Sequence, residues 1–399
     1  MAVGFDPDRL SRIDDLFRGY VDDGRLVGWQ ILISRDRQLV HASTYGWRDR
    51  DAEIEWTDDS VVRLYSMSKP ITSVAAMVLY EQGAFELKDP VSRFIPSFED
   101  ARVYRGGNHL KPVTEGLTSP MTIWHLLTHT SGLTYGFHER HVTDAIYRSR
   151  GYVAGGPEGA DLAACCEDWA SMPLAFQPGE EWNYGVSTDV LGRVIEVASG
   201  MSLDRFLDER VLGPLGMVDT GFSVRADHEH RVARLYGPDG VDGRAEISPF
   251  ESSPEMRDFL SGGGGMWGTA ADYLRFCHFM LNRGELDGRR VLGSRTVDYM
   301  VRNHLPGGAD LEQFGRPLLP ETFFDGMGFG LGFSVTTDAV ANKVLSSTGE
   351  FAWGGAASTE FWCDPLEGIA AVFVTQLRPG NSYPISTQLK QLVYQALVD

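Results

Sequence analysis

The chain has 399 residues, with 36 basic against 55 acidic side chains and a formal charge of −19. That balance argues against nucleic acid and anionic membrane as partners and repels strongly anionic substrates. At 43% hydrophobic and 23% charged, the composition is that of a globular protein able to bury a large core arranged in more than one lobe.

No run of 18 apolar residues is present, so no membrane-spanning segment is expected. Residues 1–8 lack a basic start followed by an apolar run, so no signal peptide is expected. The four cysteines, Cys165, Cys166, Cys277 and Cys363, match neither a disulfide framework nor zinc spacing. A reduced, cytoplasmic setting fits them best.

In chain order, residues 8–21 show helical periodicity through Leu10, Ile13, Leu16, Phe17 and Val21. Runs at 27–34 and 38–45, joined by Arg35-Asp36-Arg37, read as a β-hairpin. From Ser66 a helix runs to a stop at Gly83, with Pro70 tolerated in its first turn. Helical segments at 123–127, 162–170, 186–198, 203–211 and 270–281 follow, broken by Gly and Pro loops. Beyond Gly326 strand-like runs recur at 332–336, 343–347, 356–363 and 368–374, before a closing helix at 385–397. The expected architecture is α+β, a single catalytic domain over 1–399. An antiparallel sheet flanked by terminal helices forms a lobe from about 1–65 and 320–399. A mostly helical lobe of about 66–319 is inserted, with a cleft between the two.

Ser66-Met67-Ser68-Lys69 carries the chemistry. Three residues apart on a helix, Ser66 and Lys69 share one face, so the amine can take the hydroxyl proton and make Ser66 a nucleophile. Only five lysines occur, and only Lys69 has a serine three positions before it. To act as a base Lys69 must be neutral in the working state, which apolar or cationic surroundings favour. A third group, Tyr184, precedes a helix start and is followed by a glycine. Its phenol can exchange protons with Ser66 and a leaving alkoxide, although packing beneath the 186–198 helix is an equal reading of the pattern. In Trp353-Gly354-Gly355 the glycines let a substrate approach the backbone closely. The N–H groups of Ala356 and Ser66 are then the expected oxyanion hole.

These motifs, with Leu126-Leu127-Thr128-His129-Thr130-Ser131-Gly132-Leu133, Pro214-Leu215-Gly216-Met217 and Gly328-Phe329-Gly330-Leu331-Gly332-Phe333, resemble the serine β-lactamase-like superfamily over nearly the whole chain. They resemble in particular class C β-lactamases and family VIII carboxylesterases. The resemblance implies Ser66, Lys69 and Tyr184 as nucleophile, base and tyrosine of an acyl-enzyme mechanism without cofactor, and a structural role for His125 and His129. Two departures are informative. Val186 stands where class C enzymes carry the asparagine of Tyr-x-Asn, and Trp353 stands where they carry the lysine of Lys-Thr-Gly. An apolar wall replaces a cation that attracts the β-lactam carboxylate, as in the family VIII esterases.

Other motifs are weaker. No Gly-x-Ser-x-Gly elbow exists. Gly263-Gly264-Gly265-Met266-Trp267-Gly268 fits a dinucleotide string without the strand context. It reads instead as a flexible loop lining the cleft, with Met266 and Trp267 as candidate acyl-pocket residues. Tyr135, Phe137 and Phe351 are aromatic candidates for the cleft wall, core packing being the alternative. His138-Glu139-Arg140-His141 and His228-Glu229-His230 lack metal-site order and read as surface loops, so no metal is expected. The expected function is hydrolysis of neutral, short-chain or aromatic carboxylic esters, with a small-molecule ester as the partner; a homo-oligomer is compatible with the sequence. An acyltransferase, an amidase, D-aminopeptidase or weak β-lactamase, and a catalytically inactive binding or scaffold protein are the rivals.

Overall fold

In a computed structural model, the structure describes residues 3–316 and 324–398; the expected lobe boundary near 320 lies outside them. Helix α1 (Pro7–Asp22) begins at Asp6, whose carboxylate accepts the N–H groups of Asp8 and Arg9, with Pro7 in the first turn. Strands β1 (Gly28–Arg35) and β2 (Gln38–Asp49) form the expected hairpin. Its two turn residues, Asp36 and Arg37, both adopt positive φ, the backbone twist that a two-residue hairpin demands. β3 (Ile54–Glu55) ends that edge of the sheet.

Helix α2 (Ser68–Glu81) is buried continuously from Ser68 to Leu79, polar Ser68, Lys69, Thr72 and Ser73 included, so it is enclosed around its whole circumference and serves as the central post of the core. It is followed by α3 (Ile123–Leu127), α4 (Ser187–Ser199) and α5 (Ala270–Leu281). Strands β4 (Met327–Phe329), β5 (Ser334–Thr336), β6 (Phe351–Gly354), β7 (Glu360–Asp364) and β8 (Ile369–Val374) return the chain to the sheet. Helix α6 (Ile385–Tyr394) covers it.

The eight strands form one antiparallel sheet in the order β4-β5-β6-β7-β8-β1-β2-β3, so the first and last parts of the chain meet where β1 pairs β8, Gln30 opposite Val374. Alternation along the central strands assigns the two faces. Trp29, Ile31, Ile33, Trp362, Ala371 and Phe373 join Phe17 of α1 and Leu389 of α6 in one core. Leu32, Phe361, Cys363, Val372 and Val374 point the other way, into the core that holds α2, α4 and α5. Helix α5 lies directly on the sheet, the Tyr273 ring 4.8 Å from that of Phe361. The intervening segment is not wholly helical, for among the described residues it carries four two-stranded sheets.

Two sequence expectations need correction. Residues 343–347 form no strand: a short helix, Ala339–Asn342, ends at Lys343 with φ 59°. The strand expected at 356–363 begins only at Glu360, while Trp353 and Gly354 themselves lie in β6 and the chain turns between them. Among the described residues no helix is long and apolar enough to cross a membrane, and the four cysteines are buried and free.

Candidate active site

Ser66 sits in a single tight turn, Tyr65–Met67, that leads into α2. The residue before it, Tyr65, has φ 45°, a left-handed conformation that a bulky side chain adopts only where surrounding structure enforces it. That enforcement is visible on both sides of the turn. Leu64 N–H donates to the Met266 carbonyl at 2.9 Å, and the Tyr273 hydroxyl donates to the Met67 carbonyl at 2.9 Å. The Ser68 hydroxyl accepts the Met266 N–H at 3.1 Å. Ser66 Oγ receives two hydrogen bonds, from Lys69 Nζ at 3.1 Å and from the Tyr184 hydroxyl at 2.6 Å. Lys69 is 1% exposed and Tyr184 6%, while Ser66 is half-buried, so two enclosed proton-carrying groups converge on a serine that remains open to solvent and substrate.

Tyr184 is carried on an extended segment pinned from several directions. Trp182 exchanges backbone bonds with Phe314 and Arg316, and Arg316 also pairs with Glu181 at 2.6 Å. Asn183 donates to the carbonyls of His129 and Leu133. The His138 ring nitrogen Nε2 donates to the Tyr184 carbonyl at 2.7 Å. A Cβ at position 185 would lie 2.4 Å from the Leu133 carbonyl oxygen; the glycine after Tyr184 therefore lets this segment pack against the loop that ends α3.

The Lys69 amine makes a second donation, to the Gly263 carbonyl at 2.7 Å, and lies 4.4 Å from the Tyr184 ring centre and 5.5 Å from that of Tyr135. Burial, with Lys69 adding to it, holds the enclosed His129 imidazole well below its usual pKa. Burial also pushes the Tyr135 phenol far up, with the Asp189 charge acting in the same direction. Both stay neutral around Lys69.

The other expected residues distribute as follows. Trp353 is half-buried on β6, its ring 5.5 Å from Tyr184 and 5.4 Å from Phe329. Gly355 packs against Leu64, where a Cβ would meet the carbonyl oxygen at 2.4 Å. This brings Ala356 beside the Ser66 turn, and among the described residues the Ala356 N–H donates to no protein acceptor. Tyr135 is buried edge-on to Tyr184, and Phe137, 43% exposed, stacks on Tyr135 at 4.9 Å.

Three residues lie elsewhere. Phe351 is in the core against Phe333 at 5.3 Å, Met266 is buried beneath Ser68, and Trp267 is 4% exposed under the Arg63 guanidinium. The glycine run is not a loose loop. Gly262 and Gly263 are threaded between α2 and α4, held by Thr72 Oγ1 on the Gly262 carbonyl and by the Asp189 carboxylate on the Gly263 N–H.

Sequence reasoning did not assign roles to Asp189, the Gly263 carbonyl or His138. An acid in the first turn of a helix is ordinary, and His138, read as a surface residue, is instead turned inward onto Tyr184. Among the described residues no group of three or more His, Cys, Asp or Glu side chains is placed to hold a metal ion.

A family model described as Beta-lactamase matches residues 13–395. Protein Rv1367c of Mycobacterium tuberculosis is 36% identical over 372 residues, 92% of this chain and 89% of that protein. Esterase EstB of Burkholderia gladioli is 30% identical over 419 residues, 98% of this chain and 99% of the other. Among solved structures, EstCE1, described as a hydrolase with promiscuous acyltransferase activity, superposes with a TM-score of 0.81 at 27% identity, covering 97% of this chain and 99% of that one. The fold is that of the serine β-lactamases.

Proposed function

The chain belongs to the Beta-lactamase family and is a serine hydrolase, and from that premise we propose that it cleaves neutral, short-chain or aromatic carboxylic esters through an acyl-enzyme on Ser66. The observation that carries this reading is the double hydrogen bond to Ser66 Oγ, from Lys69 at 3.1 Å and Tyr184 at 2.6 Å, in a site walled by Trp353. Neutral Lys69 takes the Ser66 proton as Oγ attacks the ester carbonyl carbon. The resulting oxyanion rests on the N–H groups of Ser66 and Ala356. The C–O bond to the alcohol breaks as Tyr184 donates its proton to the departing oxygen, and Lys69 restores that proton to the phenolate. Water then attacks the acyl carbonyl, giving up a proton to the Tyr184–Lys69 pair; collapse of the second tetrahedral intermediate returns a proton to Ser66 Oγ and releases the acid.

Support for ester over β-lactam comes from the residues facing the serine. Tyr184, which donates to the serine, is flanked by the rings of Tyr135 and Trp353, and the position of the carboxylate-attracting lysine is held by Trp353. A second reading, transfer of the acyl group to an alcohol, is favoured by the activity in the description of EstCE1. Partition of the acyl-enzyme between water and added alcohol distinguishes the two. The test of the site is intact-mass detection of an acyl adduct after incubation with p-nitrophenyl esters of increasing chain length. The adduct is expected on the native chain and absent from Ser66→Ala; an adduct of equal yield on Ser66→Ala would overturn the assignment.

A further inference from the structure

Asp189 is a carboxylate that the mechanism above does not use. It lies in the first turn of α4, 2% exposed, and no cation pairs with it directly among the described residues. Its Oδ1 accepts the Ser261 hydroxyl at 2.6 Å and the Gly263 N–H at 3.0 Å. Two donors converging on one oxygen are the partners of an acceptor, which an ionised carboxylate supplies. The same residue, Gly263, turns its carbonyl to Lys69 Nζ at 2.7 Å. One glycine therefore presents its amide to a buried acid and its carbonyl to a buried amine. Any side chain there would displace the acid, since a Cβ at 263 would stand 2.6 Å from Asp189 Oδ2.

On the reading that Lys69 is the base, we propose that Asp189 is its positioning residue: through Gly263 it aims the amine at Ser66 Oγ, and its buried charge stabilises the ammonium formed when the proton leaves Ser66. The proton moves from Ser66 Oγ to Lys69 Nζ and Asp189 gains and loses nothing; it supplies the field in which that transfer ends.

The surroundings make this pair the local charge carriers. The titratable groups facing it are His129 and Tyr135 from the loop after α3, Cys165 and Cys166 from the helix Leu162–Ser171, and Tyr184. Burial holds His129 below its usual value and pushes Tyr135 and Cys166 up; Cys165 is pushed up to about 11. Burial raises the Asp189 carboxyl, while Lys69, Ser261 and the Gly263 N–H oppose that. Burial prevails and the carboxyl lies above its usual range, with the Lys69 charge pulling toward the ionised form in a site that disfavours an isolated charge. The first turn of α4 adds the positive end of a 13-residue helix to the support of the carboxylate.

The experiment is the pH profile of kcat/KM for p-nitrophenyl acetate on the native chain, Asp189→Asn and Gly263→Ala, with Ser66→Ala and Lys69→Ala in parallel and a thermal melt for each. Asparagine keeps the shape and the acceptor oxygen but not the charge. Its ammonium is less stable, so the acid limb is expected to move down by about one pH unit, with the plateau lowered ~10–100-fold. Gly263→Ala keeps the carboxylate but pushes it off, and the same direction of shift is expected; it decides the matter if Asp189→Asn does not fold. An unmoved acid limb in a folded variant overturns the proposal, whatever the plateau does. If Ser66→Ala or Lys69→Ala retains native turnover, the reading of the site itself fails, a separate outcome.

Discussion

Gly355 and Leu64 approach so closely that a Cβ on residue 355 would lie 2.4 Å from the Leu64 carbonyl oxygen and 2.3 Å from Thr359 Oγ1. Two chain segments nearly 300 residues apart are pressed together there, one leading to Ser66 and the other to Ala356. Gly355→Ala must push the turn after β6 away from the Ser66 turn and separate the two proposed oxyanion donors. A loss of one such donor lowers kcat by ~10²–10³-fold, and the overpacking destabilises by about 1–3 kcal/mol. Steady-state kinetics on p-nitrophenyl acetate check this: kcat is expected to fall at least ~10-fold with KM changed far less. A fall confined to KM would contradict the assignment.

Tyr184→Phe removes the 2.6 Å donation to Ser66 Oγ and leaves the ring among Trp182, His129, Tyr135 and Trp353. Stability should change little, since the aromatic contacts survive. The rate should fall ~10²–10⁴-fold, the range for a positioned proton donor. If deacylation needs the phenol as much as acylation does, a pre-steady-state burst of p-nitrophenol remains absent; a burst of full amplitude would confine Tyr184 to deacylation.

The half-buried Trp353 touches both Tyr184 and Phe329 and is proposed to wall the acyl or alcohol pocket. Trp353→Ala is expected to lower kcat/KM for an aromatic ester by ~10-fold or more, given about 1–3 kcal/mol for a lost pocket contact. The acetate ester should stay within a factor of about three. Comparison of p-nitrophenyl benzoate with p-nitrophenyl acetate measures it, and an equal loss on both assigns Trp353 to support of Tyr184 instead.

The sheet and its covering helices were legible because their code is local. The run at 27–34 is rich in β-formers, and Leu10, Ile13 and Phe17 repeat at helical spacing, so element type reads from the sequence. Which face of β1 meets which core does not, because Leu32 is as apolar as Ile31 and Ile33 and both faces are buried. Ser66, Lys69 and Tyr184 were candidates through motif and family resemblance, Tyr184 from pattern alone being an even choice with packing, and the structure brings the three within hydrogen-bond distance. What failed did so where short apolar runs lack periodicity. Val344 and Leu345 suggest a strand, yet Leu345 is 55% exposed and the chain turns left-handed at Lys343. Met266 and Trp267 were read as pocket residues because a glycine run suggests looseness. Their burial follows from the Asp189, Thr72 and Ser68 bonds to this segment, contacts separated by tens to hundreds of residues that no local pattern encodes.

Glu360, paired across the strands with Gly354, gives the chain a pH-dependent element of stability that takes no part in the proposed proton transfers. It stands on β7 near Ser386, Lys390 and Glu350, and burial pushes its carboxyl from the ordinary 4.5 up to about 7, against the pull of Ser386 and Lys390. Its folded pKa is above the unfolded one, so the folded state binds the proton more tightly. The stability from this group is present below pH 4.5, declines as pH rises from 4.5 to about 7, and the full penalty applies beyond. Glu360→Gln keeps the size of the side chain and removes the ionisation. It is therefore expected to stabilise the fold at pH 8 by ~1–3 kcal/mol and by far less at pH 5. Chemical denaturation of both proteins at the two pH values measures this directly. A stability difference that is the same at pH 5 and pH 8, or that favours the native glutamate at pH 8, would show that Glu360 is held as a carboxylate by Lys390 and not as the neutral acid that burial favours.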